Sequence, residues 1–264
     1  MSRAWGGLRA GCGPGCGPAW AGCGPGVGRA WDGYDRRMRH LGRPAPEWPE
    51  TAVEAEEIQE RLRPLADLSG PGPRDVRLVA GLDVAYTPAE GGGELVTGAV
   101  VVLDAATLEV AGQAVVTERA RFPYVPGLFA FRELPPLLAA LDRLDAVPDL
   151  LLCDGHGLAH PRRFGLACHL GVLTGLPVIG VAKTLFVGEH GEPGRERGAY
   201  APVVHEGDVV GRALRTQDGV RPVYVSQGHR VGLDEACEHV LRLAPAYRLP
   251  EPIRRADHLS RHRS

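Results

Sequence analysis

Leu78-Val79-Ala80-Gly81-Leu82-Asp83-Val84-Ala85-Tyr86 is an almost wholly apolar run with one carboxylate inside it. Its length and composition predict a buried strand. Two more strand-like runs, at 95–103 and 108–117, follow across the turns Gly91-Gly92-Gly93 and Asp104-Ala105, which predicts an antiparallel meander. The pattern then changes. A helix is expected over 128–145, a buried strand at Leu150-Leu151-Leu152-Cys153, a helix over 161–174 and a second buried strand over 178–181. A polar stretch at 189–198, two or three further strands and a helix over 234–243 complete the body. A meander followed by strands alternating with helices predicts an α/β fold, one domain with a sheet of mixed direction flanked by helices.

Upstream, residues 54–65 carry Ile58, Leu62 and Leu65 on one helical face, and Ser69-Gly70-Pro71-Gly72-Pro73 stops that helix. Residues 1–47 are a Gly/Pro/Cys-rich head without apolar periodicity, expected to be disordered, with Met38 a candidate start of translation. The remainder, 48–260, is expected to be the folded domain. Cys12, Cys16 and Cys23 of the head lack a nearby fourth ligand and read as incidental thiols rather than a zinc site. Cys153, Cys168 and Cys237 sit in apolar or helical contexts and read as reduced hydrophobes of a cytoplasmic protein. No apolar run reaches the roughly 18–20 residues of a membrane span. A formal net charge of −2 does not announce a nucleic-acid binder, but it leaves room for a local basic groove.

Lys183 stands alone against twenty-nine arginines, in a chain without asparagine. Where cations default to arginine, a lone lysine marks a place for a compact ammonium, or else an accident of codon usage. It follows the apolar run 177–182, so it ends a buried strand. Asp83 is out of place in a strand buried on both faces, where a carboxylate must be paired, protonated or metal-bound. The other reading is a strand with one solvated face. Its small neighbours Gly81 and Ala85 predict close approach by a ligand. Asp154 ends the next buried strand and runs into Gly155-His156-Gly157, where open α/β sheets bind ligands. A plain turn aspartate is the alternative. Glu133, among Phe129, Phe131, Leu134 and Leu137, either faces solvent or joins those acids. Three acids on separate elements suit magnesium or manganese better than zinc. His156 and His160 lack the glutamate and helical context of a zinc protease, and Gly180-Val181-Ala182-Lys183-Thr184 lacks the glycines of a phosphate loop. His229, where a strand gives way to a loop, reads as a core or capping histidine. Alternatively, with Asp83, Asp154 and Lys183, it completes a site for cleaving phosphodiesters.

Six segments, in order, closely resemble the endonuclease V family of deoxyinosine-specific repair nucleases. They are Ala80-Gly81-Leu82-Asp83-Val84; Pro123-Tyr124-Val125-Pro126-Gly127 through Phe131-Arg132-Glu133; Asp154-Gly155-His156-Gly157 through His160-Pro161-Arg162; Gly180-Val181-Ala182-Lys183; Gly228-His229-Arg230-Val231; and Tyr247-Arg248-Leu249-Pro250-Glu251-Pro252. The resemblance runs from about residue 54 to 257. It implies a ribonuclease H-like fold, with Asp83 and Asp154 binding the catalytic magnesium, manganese able to substitute, and Glu133 in the same cluster. It further implies catalytic roles for His160, Lys183 and His229. Pro123, Tyr124, Val125 and Pro126 correspond to a wedge that enters the duplex, and Gly127, Gly155, Gly165 and Leu166 to the surroundings of a flipped hypoxanthine. The chain departs from the family at Cys168, Phe129 and Phe186, where serine and leucines are expected.

The expected activity is magnesium-dependent hydrolysis of the second phosphodiester on the 3′ side of deoxyinosine, leaving 3′-hydroxyl and 5′-phosphate, by a monomer. A base inside a stack cannot be inspected, so such an enzyme flips it out, and a stiff proline-rich turn bearing an aromatic ring suits the wedge. The rivals are the same scaffold acting on inosine in RNA, a catalytically silent lesion-binding module, and a ribonuclease H-like resolvase. The full set of acids speaks against the second, and the wedge goes unexplained by the third.

Overall fold

The structure is a computed structural model in which residues 44–262 are described. The expectations for residues 1–43, including a start at Met38, lie outside the described residues. Helix α1 (Ala52–Leu62) opens with a capping box, in which the Thr51 side chain accepts from the Glu54 amide and the Glu54 carboxylate reaches back to the Thr51 amide. Ala55, Ile58, Gln59 and Leu62 form its buried face. Leu65, expected on that face, is exposed, because a tighter 3-10 turn containing Pro64 (Arg63–Leu65) takes over from the α-helix and rotates it outward.

Strands β1 (Leu78–Pro88), β2 (Glu94–Asp104) and β3 (Val110–Arg119) form the expected meander. Helix α2 (Ala130–Asp142) leads to β4 (Leu150–Asp154), which lies parallel to β1. Helix α3 (Leu166–Thr174) leads to β5 (Val178–Ala182), parallel to β4. Three antiparallel strands, β6 (Tyr200–His205), β7 (Asp208–Leu214) and β8 (Val223–His229), extend the other edge, and helices α4 (Leu233–Arg242) and α5 (Glu251–Arg261) follow. The sheet has eight strands in the order β3-β2-β1-β4-β5-β8-β7-β6. This is the mixed, ribonuclease H-like sheet that was expected. One further local expectation fails, and one helix is additional. Helix α3 begins later than residue 161, because Arg163 adopts a positive φ of 54° and Gly165 is an extended N-cap. Helix α5 was not foreseen.

Alternation along the strands assigns each side chain to a layer. Ala80, Leu82, Leu151 and Cys153 face α2 and α3, whereas Val79, Leu150, Leu152, Ile179 and Val181 face α4 and α5. Asp83 shares the parity of Val79, Asp154 that of Leu152, and Lys183 that of Val181, so all three belong to the α5 layer. Ile253 and Ala256 of α5 are fully buried against that layer, and burying an isoleucine contributes about 1.5–3 kcal/mol. Gly81 is what lets α5 come so close: a Cβ there would lie 2.0 Å from the Pro252 carbonyl carbon. The close approach expected at Gly81 is therefore made by this helix, not by a ligand. Among the described residues no helix is long and apolar enough to cross a membrane.

Candidate active site

The register of the central strands sets up the site. Leu82 pairs with Cys153 and Asp154 with Val181, so Asp83 and Asp154 are neighbours across parallel strands, with Lys183 just past the end of β5. Helix α5 brings a third acid. Carboxylate oxygens of Asp83, Asp154 and Asp257 all lie within 4.8 Å of one another. The Lys183 ammonium lies 2.5 Å from Asp154 Oδ2 and 3.3 Å from Asp257 Oδ1. The Ser260 hydroxyl donates to Asp83 Oδ2 at 2.7 Å, and Arg261 reaches Asp257 Oδ1 at 2.8 Å.

Electrostatics follow from this crowding. Burial pushes the Asp83 carboxyl up to about 7, and the charges of Asp154 and Asp257 add to the shift while the Ser260 hydroxyl opposes it. Burial works against the charge on Lys183, but its contact with Asp154 and the other two acids prevail and hold its pKa above the usual value. Glu133 lies beside the triad, on the cleft wall, with Oε1 accepting from the Tyr86 hydroxyl at 2.9 Å. Burial pushes its carboxyl up to about 7 as well. Asp83, Glu133, Asp154, Lys183 and Arg261 line a cleft of about 290 Å³. A cluster of oxygen donors carrying excess negative charge fits a hard divalent cation.

A second cavity, of about 210 Å³, adjoins the first and shares Glu133, Asp154 and Leu166 with it. Gly127, Gly155, Gly165, His156, His160, Phe129 and Phe186 supply most of the rest. Phe186 stacks at 5.8 Å from the His156 ring and 5.7 Å from the His160 ring. Burial lowers both imidazoles to about 4, so they are neutral at pH 7. The Pro123–Gly127 turn, expected to act as a wedge, borders this cavity through Gly127. Tyr124 is 68% exposed, with its ring 4.7 Å from that of Phe129. Gly127, at φ +83°, turns the chain back. Its carbonyl accepts from Gln59 at 3.0 Å, His160 Nε2 at 2.9 Å and Arg162 at 3.2 Å. The Arg162 amide donates to His160 Nδ1 at 3.2 Å, which fixes the proton on Nε2. His160 thus holds the turn from beneath.

Of the residues expected to be catalytic, Asp83, Glu133, Asp154 and Lys183 converge and His160 lines the adjoining cavity. His229 is not brought to the cluster. It pairs with Val178, at the opposite end of β5 from Lys183 and three residues back from the Val181 that faces Asp154, about 10 Å along the strand at 3.3 Å per residue. It is buried against Gly171, and its Nδ1 accepts from the Asp67 amide at 3.0 Å, the core histidine of the other reading. The acid that completes the cluster is Asp257, which sequence reasoning missed. A signal existed: Ile253, Ala256, Asp257 and Ser260 follow the 3-4-7 spacing of one helical face, so an aspartate and a serine lie on a buried stripe. The glycines expected to admit substrate divide as well. Gly155 and Gly165 line the second cavity, whereas Gly157 lets β8 approach, a Cβ there falling 2.0 Å from the Gln227 carbonyl oxygen.

An acidic cluster that could hold a metal ion, with one ammonium, at the strand ends of a ribonuclease H-like sheet and beside a second cavity, points to the nuclease class. The family model described as Endonuclease V matches residues 60–258, and the chain belongs to the endonuclease V family. It is 56% identical to the endonuclease V of Streptomyces avermitilis over 81% of this chain and 93% of that protein, and 55% identical to that of Streptomyces coelicolor over 81% and 91%. The crystal structure of the Streptomyces avermitilis protein aligns at a TM-score of 0.78, covering 83% of this chain and 95% of that one. That of the catalytic domain of human endonuclease V aligns at 0.72, with 35% identity over 82% and 96%. The Ciona intestinalis enzyme, in complex with a 24mer DNA containing an inosine followed by a ribo-adenosine, aligns at 0.70 with 29% identity over 81% and 97%.

Proposed function

We propose that this enzyme nicks DNA at the second phosphodiester on the 3′ side of deoxyinosine, leaving 3′-hydroxyl and 5′-phosphate, with magnesium held by Asp83, Asp154 and Asp257. The observation that carries the reading is the shared wall between the two cavities, in which Glu133, Asp154 and Leu166 border both the acidic cleft and the aromatic pocket. A base flipped into the pocket would leave its own backbone at the cleft mouth. The Ciona intestinalis complex, with inosine in its DNA, supports the choice of lesion.

Each residue then has a task. Tyr124, exposed at the tip of a turn stiffened by Pro123 and Pro126 and continued by Val125, fills the gap the base leaves. Gly127, Gly155, Gly165 and Leu166 shape the pocket, neutral His156 offers a polar edge without charge, and His160 keeps Gly127 in place. Lys183 neutralises charge on the scissile phosphoryl group. Glu133, whose carboxyl lies near 7, can hold a proton at Oε2 close to neutral pH while Tyr86 keeps Oε1. Asp83, Asp154 and Asp257 would hold a magnesium or manganese ion, which would supply water activation and charge stabilisation at the leaving oxygen. The three cysteines of the described body are buried free thiols, which suits the reducing cytoplasm, where the enzyme would act as a monomer.

Cleavage of a 5′-labelled duplex bearing one deoxyinosine, run beside its undamaged counterpart and a matched inosine RNA, tests this. One product, cut at the second bond 3′ of the lesion and dependent on magnesium, is expected. Cleavage at undamaged sites with equal efficiency would overturn the reading, and cleavage of RNA alone would transfer it to inosine-containing RNA.

A further inference from the structure

Glu133 does not set its own position. It lies on α2, the layer opposite the triad, and reaches the cleft from across the sheet. Tyr86, on β1, has the parity of Leu82 and so faces α2. Its hydroxyl donates to Glu133 Oε1 at 2.9 Å. The guanidinium of Arg132 covers the Tyr86 ring at 5.1 Å. Arg132 is itself buried and doubly anchored, to the Phe122 carbonyl at 2.6 Å and Glu94 Oε2 at 2.6 Å. Phe122 is the residue from which the Pro123–Gly127 turn springs, and its ring lies 5.7 Å from that of Phe131 on α2. A continuous set of contacts therefore runs from the root of the wedge through Arg132 and Tyr86 to an oxygen of Glu133.

We propose that Tyr86 is a positioning residue for the nicking reaction: it fixes the Glu133 carboxylate at the cleft and ties it, through Arg132, to the root of the wedge turn. The inference rests on the nuclease reading above. A glutamate has three rotatable bonds, and a hydrogen bond that holds Oε1 narrows the positions open to Oε2. The cation over the ring restrains the tyrosine in turn. Movement of the wedge root on entering a duplex is then felt at Glu133 without any direct contact between them.

Tyr86→Phe keeps the ring and its Arg132 contact and removes only the hydroxyl, so folding should be preserved and the thermal midpoint should stay close to wild type. Single-turnover nicking of a one-deoxyinosine duplex, measured across enzyme concentrations, separates rate from binding. The rate at saturating enzyme should fall roughly tenfold, in line with the sensitivity of catalysis to small misplacements, while half-saturation stays within about twofold. A saturating rate within twofold of wild type, or a loss confined to half-saturation, would overturn the positioning role. Failure of the underlying reading has a different signature, since the wild-type enzyme would then show no lesion-dependent nicking at all. Tyr86→Leu, which also uncovers Arg132, should lower the rate at least as far, and a faster rate than Tyr86→Phe would likewise count against the relay.

Discussion

The carbonyl carbon of Pro252 occupies the space that a side chain on residue 81 would need, 2.0 Å from where its Cβ would be. Gly81 thus sets how near α5 comes to β1, and with it the distance from Asp257 to Asp83. Gly81→Ala should push the helix outward. Overpacking of this kind costs about 1–3 kcal/mol, and nicking should fall further than that loss of stability explains. Thermal unfolding and single-turnover assays on the same preparation check it. A variant with wild-type midpoint and rate would mean that α5 accommodates the methyl group elsewhere.

Lys183→Arg should slow nicking by about 10²–10³ although charge is kept, the range for loss of one transition-state donor. The ammonium sits between Asp154 Oδ2 and Asp257 Oδ1 at 2.5 and 3.3 Å, and a guanidinium fork is too wide to do so without spreading the acids. A rate within a few-fold of wild type would make the lone lysine an accident of codon usage.

Tyr124→Ala should reduce the preference for deoxyinosine over undamaged duplex by up to about a hundredfold, because stacking on an aromatic ring is worth about 1–3 kcal/mol per base. Its high exposure means that the fold loses little. Competition binding with the two duplexes gives the ratio, and an unchanged ratio would place the wedge elsewhere.

Burial raises the Asp83 carboxyl to about 7, so the folded protein keeps a proton there that the unfolded chain has already released. Ionising it costs stability that starts to accumulate as the pH passes the ordinary aspartate value of about 4 and is complete above the folded value. Asp83→Asn should therefore match wild type near pH 4 in metal-free buffer and exceed it by a few degrees at pH 8. The buried histidines His156, His160 and His169, lowered to about 4, 4 and 3 by burial, have the opposite pH slope, but they are common to both proteins and cancel in the difference. A wild type that is the more stable at pH 8 would contradict the crowding of the acids.

The parts of this fold that were legible in the sequence are those with a strong local pattern. Three long β-rich runs fixed the meander, and the short apolar runs before Asp154 and Lys183 fixed the two parallel strands. The residues that failed did so for physical reasons. His229 looked catalytic because the loop after β8 matches a family segment, but the antiparallel pairing of β5 with β8 carries that end of the strand away from the acids. Gly81 correctly signalled close approach, but sequence does not say what approaches. Asp257 was missed because the helix that carries it was not foreseen: α5 begins between two prolines, Pro250 and Pro252, and proline in a first helical turn is favourable. Contacts such as Tyr86 with Glu133 join residues 47 positions apart, and no periodicity encodes them.

Asp257 is the residue on which the site stands or falls, since it joins the cluster only if α5 packs as described. The most direct measurement is the single-turnover rate of Asp257→Asn on a duplex with one deoxyinosine in saturating magnesium, alongside its affinity for the same duplex in metal-free buffer. Loss of about 10³ or more in rate, with affinity retained, is expected of a group that holds the metal and leaves pocket and wedge intact. A rate within a few-fold of wild type would contradict the assignment of Asp83, Asp154 and Asp257 as the hydrolytic centre.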